Sequence, residues 1–120
     1  MANALHGVKI AQGQLKNIFD KLDKMGNEVT NAVADEIEMT ALEIETDAKM
    51  RCPVDTGRLR SSITTYFNRD RLAAVVGTNV EYAIKVEYGH QMRMAKPFLF
   101  PAYFKGINGL VNRLNKITGE

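Results

Sequence analysis

From Glu28 to Arg51 the chain carries neither proline nor glycine, and Val29, Val33, Ile37, Ala41, Ile44 and Ala48 recur every three or four positions. Apolar residues at that spacing fall on one stripe of an α-helix, so the stretch predicts a long helix whose stripe must be covered by the rest of the chain. The acidic residues Glu28, Asp35, Glu36, Glu38, Glu43, Glu45 and Asp47 mostly lie off the stripe, and Lys49 and Arg51 sit in the last turn, where cations complement the helix dipole. Ala41 and Ala48 allow a close neighbour; Met39 and Leu42, off the stripe, widen the apolar surface towards a sheet or a neighbouring subunit. Pro53 stops the helix, because it lacks an amide hydrogen, clashes with the preceding turn and pushes Cys52 towards extended geometry. Asp55-Thr56-Gly57 then supplies a turn, with side chains that bond nearby amides and a glycine free to take positive φ.

The flanking segments are shorter and less strongly patterned. Val8, Ile10 and Gly13 predict a short strand or a loosely docked arm, with His6 in a floppy part of it. Leu15, Ile18, Phe19 and Leu22 give an amphipathic helix from Gln14 to about Met25, with Gly26 as its cap and Asn27 as the N-cap of the long helix. After the turn, Leu59, Ser61, Ile63, Thr65 and Phe67 alternate with Arg60, Ser62, Thr64 and Tyr66, the period of a half-buried strand. Asn68 to Arg71 turns the chain, and Leu72 to Gly77 returns antiparallel.

Thr78-Asn79 then caps a short helix over Glu81 to Tyr88, with Gly89 as its stop, and a strand is the alternative because Ala83, Val86 and Tyr88 do not decide between them. His90 to Lys96 reads as an exposed loop. From Pro101, Phe104, Ile107, Val111, Leu114 and Ile117 set a terminal helix to about Lys116, with a kink or fraying expected at Gly106 and Gly109. The order of elements predicts an α+β fold: one domain over residues 1–120, the long helix and flanking helices packed on a small antiparallel sheet built on a β-hairpin. Such a sheet leaves edge strands open to a neighbouring subunit.

Composition excludes several classes. Charged residues make up 25% of the chain and hydrophobic ones 45%, close to soluble domains, so disordered and collagen-like chains are set aside. No apolar run reaches the roughly 18 residues of a membrane span, and the N-terminus lacks a signal pattern, which places the protein in the cytoplasm and off the membrane. Cys52 is the single cysteine, which rules out an intrachain disulfide and cysteine-rich zinc sites. The net charge of +2 hides a split: residues 1–50 hold five Lys/Arg against nine Asp/Glu, and residues 51–120 hold eleven against five. Such a split is either a solvated acidic helix face beside an ordinary basic surface or a device for head-to-tail association.

Converging chemistry is sparse. The nearest acid/base set is Asp55, Glu87 and His90, and no spacing rule forces these three together. Cys52, between Arg51 and Pro53, has either a lowered pKa or the role of a small apolar residue at a helix end. Ser61 and Ser62 lack a glycine-flanked elbow, and the glycines stand singly, without a phosphate loop. Arg58, Arg60, Arg69 and Arg71 border the hairpin with Tyr66 and Phe67, a composition that could hold phosphates and stack bases.

Four blocks carry a resemblance: Pro53-Val54-Asp55-Thr56-Gly57-Arg58-Leu59-Arg60-Ser61-Ser62-Ile63, Val76-Gly77-Thr78-Asn79-Val80-Glu81-Tyr82-Ala83, Val86-Glu87-Tyr88-Gly89-His90, and Ala95-Lys96-Pro97-Phe98-Leu99-Phe100-Pro101-Ala102. In their order and spacing, over about half the chain, they resemble the bacteriophage tail-component family of head-tail joining and tail-completion proteins. The resemblance implies a structural, non-catalytic virion protein of a long-tailed phage or prophage, assembled in the host cytoplasm and sited at the neck or the upper end of the tail tube. It further implies a homo-oligomeric ring, often a hexamer, that binds the tail end, faces the head connector and touches DNA in its lumen at most incidentally. No cofactor and no metal are implied.

Within that reading Pro53, Asp55, Thr56, Gly57 and Arg58 form a structural turn, in which Arg58 pairs with Asp55 or reaches Glu87. Tyr82, Phe98 and Phe100 lock the short helix and terminal block onto the long helix. His90, Gln91, Met92, Arg93, Met94 and Lys96 form a candidate assembly interface, since Met and Arg repack readily on another surface. Two other readings stand beside it: a small nucleic-acid-binding module using the basic hairpin, and a metal-dependent hydrolase around Asp55, Glu87 and His90.

Overall fold

The computed structural model describes residues 5–11, 13, 15–53 and 57–119. Through them the chain runs β1 (His6–Ile10), α1 (Lys16–Leu22), α2 (Asn27–Arg51), α3 (Arg58–Ser62), β2 (Thr64–Asn68), β3 (Ala73–Thr78), α4 (Ala83–Tyr88) and α5 (Leu99–Ile117). The α+β expectation holds, with helices packed on a three-stranded antiparallel sheet among the described residues. Its order is β1-β3-β2, so β3 is central and β1 and β2 are edges. Val8 faces Val76 across one ladder, and Thr65 faces Val76 across the other.

α2 is the element both layers share: α5 runs along it, and β2 and β3 pack against it. Val33, Ile37, Ala41, Ile44 and Ala48 of the stripe are buried, joined by Ala34 and Thr40. The helix ends where Pro53 requires, with Cys52 extended at φ −70° and ψ 135°. Arg113 Nη2 of α5 donates to Thr40 Oγ1 at 2.7 Å, which explains how a hydroxyl is tolerated in that interface.

Gly106 is a packing device. A Cβ there would lie 2.6 Å from Ile44 Cγ1, so only glycine lets α5 come this close to α2. The expected fraying does not occur, and α5 is continuous from Leu99 to Ile117. It also starts two residues before Pro101, which thereby occupies the first turn, where a missing amide hydrogen leaves no intrahelical bond unmade. Its buried side is Leu99, Ala102, Leu110 and Leu114, while Phe104 is exposed.

Local corrections have local causes. Residues 58–62 are helical rather than strand: Gly57 is left-handed at φ 72°, and Ser61 and Ser62 hydroxyls donate back to the carbonyls of Arg58 and Leu59. Leu59 and Ile63, four apart, fit a helix turn as well as they fit alternation. The strand proper begins at Thr64, and the hairpin with β3 is antiparallel as expected. Asn27 is the first helical residue of α2 and Gly26 its extended N-cap, because the chain leaves α1 through consecutive short turns that close on Lys21 and Leu22. Thr78 and Asn79 do not cap α4, which follows Tyr82. Thr78 Oγ1 accepts from the Val80 amide and Asn79 Oδ1 from the Leu5 amide. The turn residues Asp55 and Thr56 lie outside the described residues.

Candidate assembly site

His6 and Glu87 anchor the region. The inward positions of β1 are His6, Val8 and Ile10, so the pleat carries the imidazole inside rather than into a floppy arm. Glu87, on the buried side of α4, is 2% exposed. His6 Nε2 stands 3.1 Å from Glu87 Oε1, and a carboxylate neighbour makes the ring N–H the donor. The same carboxylate accepts the Leu99 amide at 3.0 Å and the Phe100 amide at 3.3 Å. Glu87 therefore caps the N-terminus of α5 from another element, satisfying two of the amides that a helix start leaves open.

Phe98 and Phe100 meet the His6 ring edge-on, with centroids 5.9 and 5.4 Å away, and Tyr88 closes a further side. The aromatic lock differs from the one expected: Phe98 and Phe100 gather with Tyr88 about His6 of β1, and Tyr82 lies under Arg58 instead. β1, α4 and α5 are thus tied at one point.

That knot forms the root of the 90–96 loop. Gly89 ends α4 at φ 84°, and a Cβ there would lie 2.8 Å from the Ala95 amide nitrogen, so both conformation and space demand glycine. The Lys96 amide donates to Val86 O at 2.8 Å, while His90 and Arg93 exchange backbone bonds across the loop. The side chains point away from this frame: Met92 is 98% and Met94 86% exposed. A groove of about 560 Å³ opens between the loop, α4 and Pro53, walled by Tyr82, Val86 and Met94 and edged by Lys85, His90, Arg93 and Lys96.

The catalytic constellation does not form as proposed. Glu87 is buried against His6, whereas His90 is in the exposed loop, and Asp55 lies outside the described residues. Among the described residues no three His, Cys, Asp or Glu side chains are placed to hold a metal ion. Burial pushes the Cys52 thiol up rather than down, outweighing the attraction of Arg60.

The hairpin arginines are largely engaged within the chain. Arg58 forms a two-pronged bridge to Glu81 at 3.0 and 2.9 Å instead of reaching Glu87, and lies over the Tyr82 ring. That bridge holds the Glu81 carboxyl below its ordinary range and raises the Arg58 guanidinium. Arg60 donates to Cys52 O, and Arg69 joins the hairpin tip to Asp35 and Asn31 O of α2.

Sequence reasoning missed His6 as a partner, Glu87 as a cap and Glu81 as the mate of Arg58. The one local signal for the first was the alternation His6, Val8, Ile10.

These features define a class: a small α+β structural component whose polar side chains mainly fasten its elements together, with a cationic, methionine-edged groove on its surface. The chain belongs to the HK97-gp10-like family, described as "Bacteriophage HK97-gp10, putative tail-component", whose family model matches residues 16–89. The matched region runs from α1 to the end of α4. It takes in the blocks around Pro53–Ile63 and Val76–Ala83, and the 95–102 block lies beyond it. The protein is accordingly a structural component of a phage tail, with its place in the virion among other virion proteins. No curated protein and no solved structure matches the chain. Among the described residues no helix is long and apolar enough to cross a membrane.

Proposed function

We propose that residues 1–120 act as one head-tail joining or tail-completion domain, assembling as a homo-oligomeric ring at the neck or the top of the tail tube, without catalysis. The observation that carries this reading is the loop from His90 to Lys96: a methionine- and cation-bearing segment held out from a root knotted by Glu87. Methionine adapts to irregular partner surfaces, and arginine is favoured at interfaces, so the loop suits contact with a neighbouring subunit of the assembly. Membership of a tail-component family supports the same direction. The hairpin gives less support to nucleic-acid binding, since Arg58, Arg60 and Arg69 are already bonded within the chain.

The test is complementation of a phage or prophage lacking the gene with the double variant Met92→Glu/Met94→Glu. Both side chains are exposed, so the variant should keep the wild-type circular dichroism spectrum and urea midpoint. Electron microscopy should then show filled heads beside unjoined tails. Wild-type titre from that variant would remove the loop as an assembly surface.

A further inference from the structure

The acidic residues of α2 divide into two sets. Asp35 is paired with Arg69, Glu36 with Arg113, Glu45 with Lys49 and Asp47 with Arg51. Glu28 at the helix start is exposed and without an ion-pair partner among the described residues, as are Glu38 and Glu43 further along. Glu38 and Glu43 flank the most exposed apolar side chains of the helix: Met39, Leu42 and Met50 are 56%, 50% and 75% exposed. Positions 39, 42, 43, 46 and 50 follow helical spacing, and they line one shallow trough bordered by Lys105.

The basic half of the chain divides less evenly, since Arg71, Lys105 and Lys116 lack a carboxylate partner among the described residues and stand away from the groove. Arg51, Arg58, Arg69 and Arg113 are bridged internally. Lys85, Arg93 and Lys96 have no carboxylate partner among the described residues, and all three edge the groove beside Met94, Val86 and Tyr82. With Glu38 and Glu43 set against Lys105, the stripe keeps a net unpaired charge of one negative, the groove has three unpaired cations among the described residues, and each surface lies beside exposed methionine.

We infer that the groove between α4 and the 90–96 loop receives the Glu38–Met50 stripe of α2 from a second copy of this chain. Lys85, Arg93 and Lys96 face Glu38 and Glu43, and the methionines of both copies fill the space between. Because donor and acceptor surfaces differ, a bound pair still presents one free groove on one copy and one free stripe on the other. Such a heterologous contact closes into a ring or continues as a filament. This inference rests on the homo-oligomer reading and names the two surfaces that would build it.

The experiment is a charge swap read by sedimentation velocity. Arg93→Glu/Lys96→Glu makes the groove acidic, and Glu38→Lys/Glu43→Lys makes the stripe basic. Alone, each variant opposes like charges, and the dissociation constant for self-association should rise by a factor on the order of 100. Mixed in equal amounts, the two are complementary at both kinds of contact, and oligomers alternating between them should reappear. All four side chains are exposed, so the fold, checked by circular dichroism, should be unchanged.

A wild-type oligomer that survives both double substitutions overturns this inference and leaves the ring reading standing. A wild-type chain that stays monomeric throughout overturns both. Variants that dissociate but do not recombine overturn the pairing of these two surfaces. Unchanged oligomers with lost DNA binding in the groove variant assign the groove to nucleic acid instead.

Discussion

Replacing Glu87 with Ala removes three bonds at once. The Leu99 and Phe100 amides lose their acceptor, and the His6 ring N–H is left among Tyr88, Phe98 and Phe100 without a partner. A lost helix cap costs about 1 kcal/mol, and each unsatisfied buried donor about 1–3 kcal/mol. The Phe100 bond is only partly buried, so water replaces some of that term. We expect a total near 3–5 kcal/mol, in the range for breaking a buried pair from one side and a large share of the roughly 5–15 kcal/mol that holds a typical domain together.

Glu87→Gln keeps one carbonyl acceptor and should cost about half as much. His6→Phe keeps a ring in the aromatic cluster while deleting the bond, so a cycle of His6→Phe and Glu87→Gln isolates the polar coupling, expected at about 1–2 kcal/mol. Urea unfolding followed by circular dichroism measures all four proteins. A Glu87→Ala loss under about 1 kcal/mol, or a cycle energy within the roughly 0.5 kcal/mol scatter of independent sites, would refute the knot described above.

Two further outcomes follow from the packing and the surface. Gly106→Ala should destabilise despite the better helix propensity of alanine, because its Cβ meets Ile44 at 2.6 Å, whereas Gly109→Ala meets Arg113 Nη1 at 3.0 Å, a guanidinium held by Thr40 and Glu36 that must give a few tenths of an ångström, and should be close to neutral. Equal thermal shifts for the two would remove the close-approach argument. At the surface, the Glu81 carboxyl should titrate below the ordinary glutamate range and move up towards it in Arg58→Ala, as read by carbon-detected NMR. A lowered folded value makes the bridge's contribution full above the unfolded glutamate pKa, and it is lost as pH falls through the lowered value.

α2 and its end were legible because both signals are local: an unbroken period of three to four, then a proline whose ring forbids the next turn. The hairpin was legible for the same reason, since alternation and a polar turn lie within one short window. The helical character of residues 58–62 was hidden, because Leu59 and Ile63 satisfy two periods at once, and the choice fell to Gly57 and two serine hydroxyls. The exposed loop was read correctly from its lack of any period. Its anchoring was not, since the bonds that hold it run to other elements.

The sequence by itself therefore determined the α+β class, the long acidic helix, the β2–β3 hairpin and, through four ordered blocks, the family. Tertiary structure alone decided which distant charges meet, whereas Glu45–Lys49 and Asp47–Arg51 follow from helical spacing. His6 and Glu87 are 81 positions apart, and nothing local to either records the other. The same holds for Gly106, which reads as a weakness in a helix until Ile44 of a neighbouring helix is brought against it. Propensity and period act over a few residues, whereas partner choice and close approach depend on where the whole chain places each surface. In this protein that placement leaves Glu38 and Glu43 on one face and Lys85, Arg93 and Lys96 on another, unpaired among the described residues.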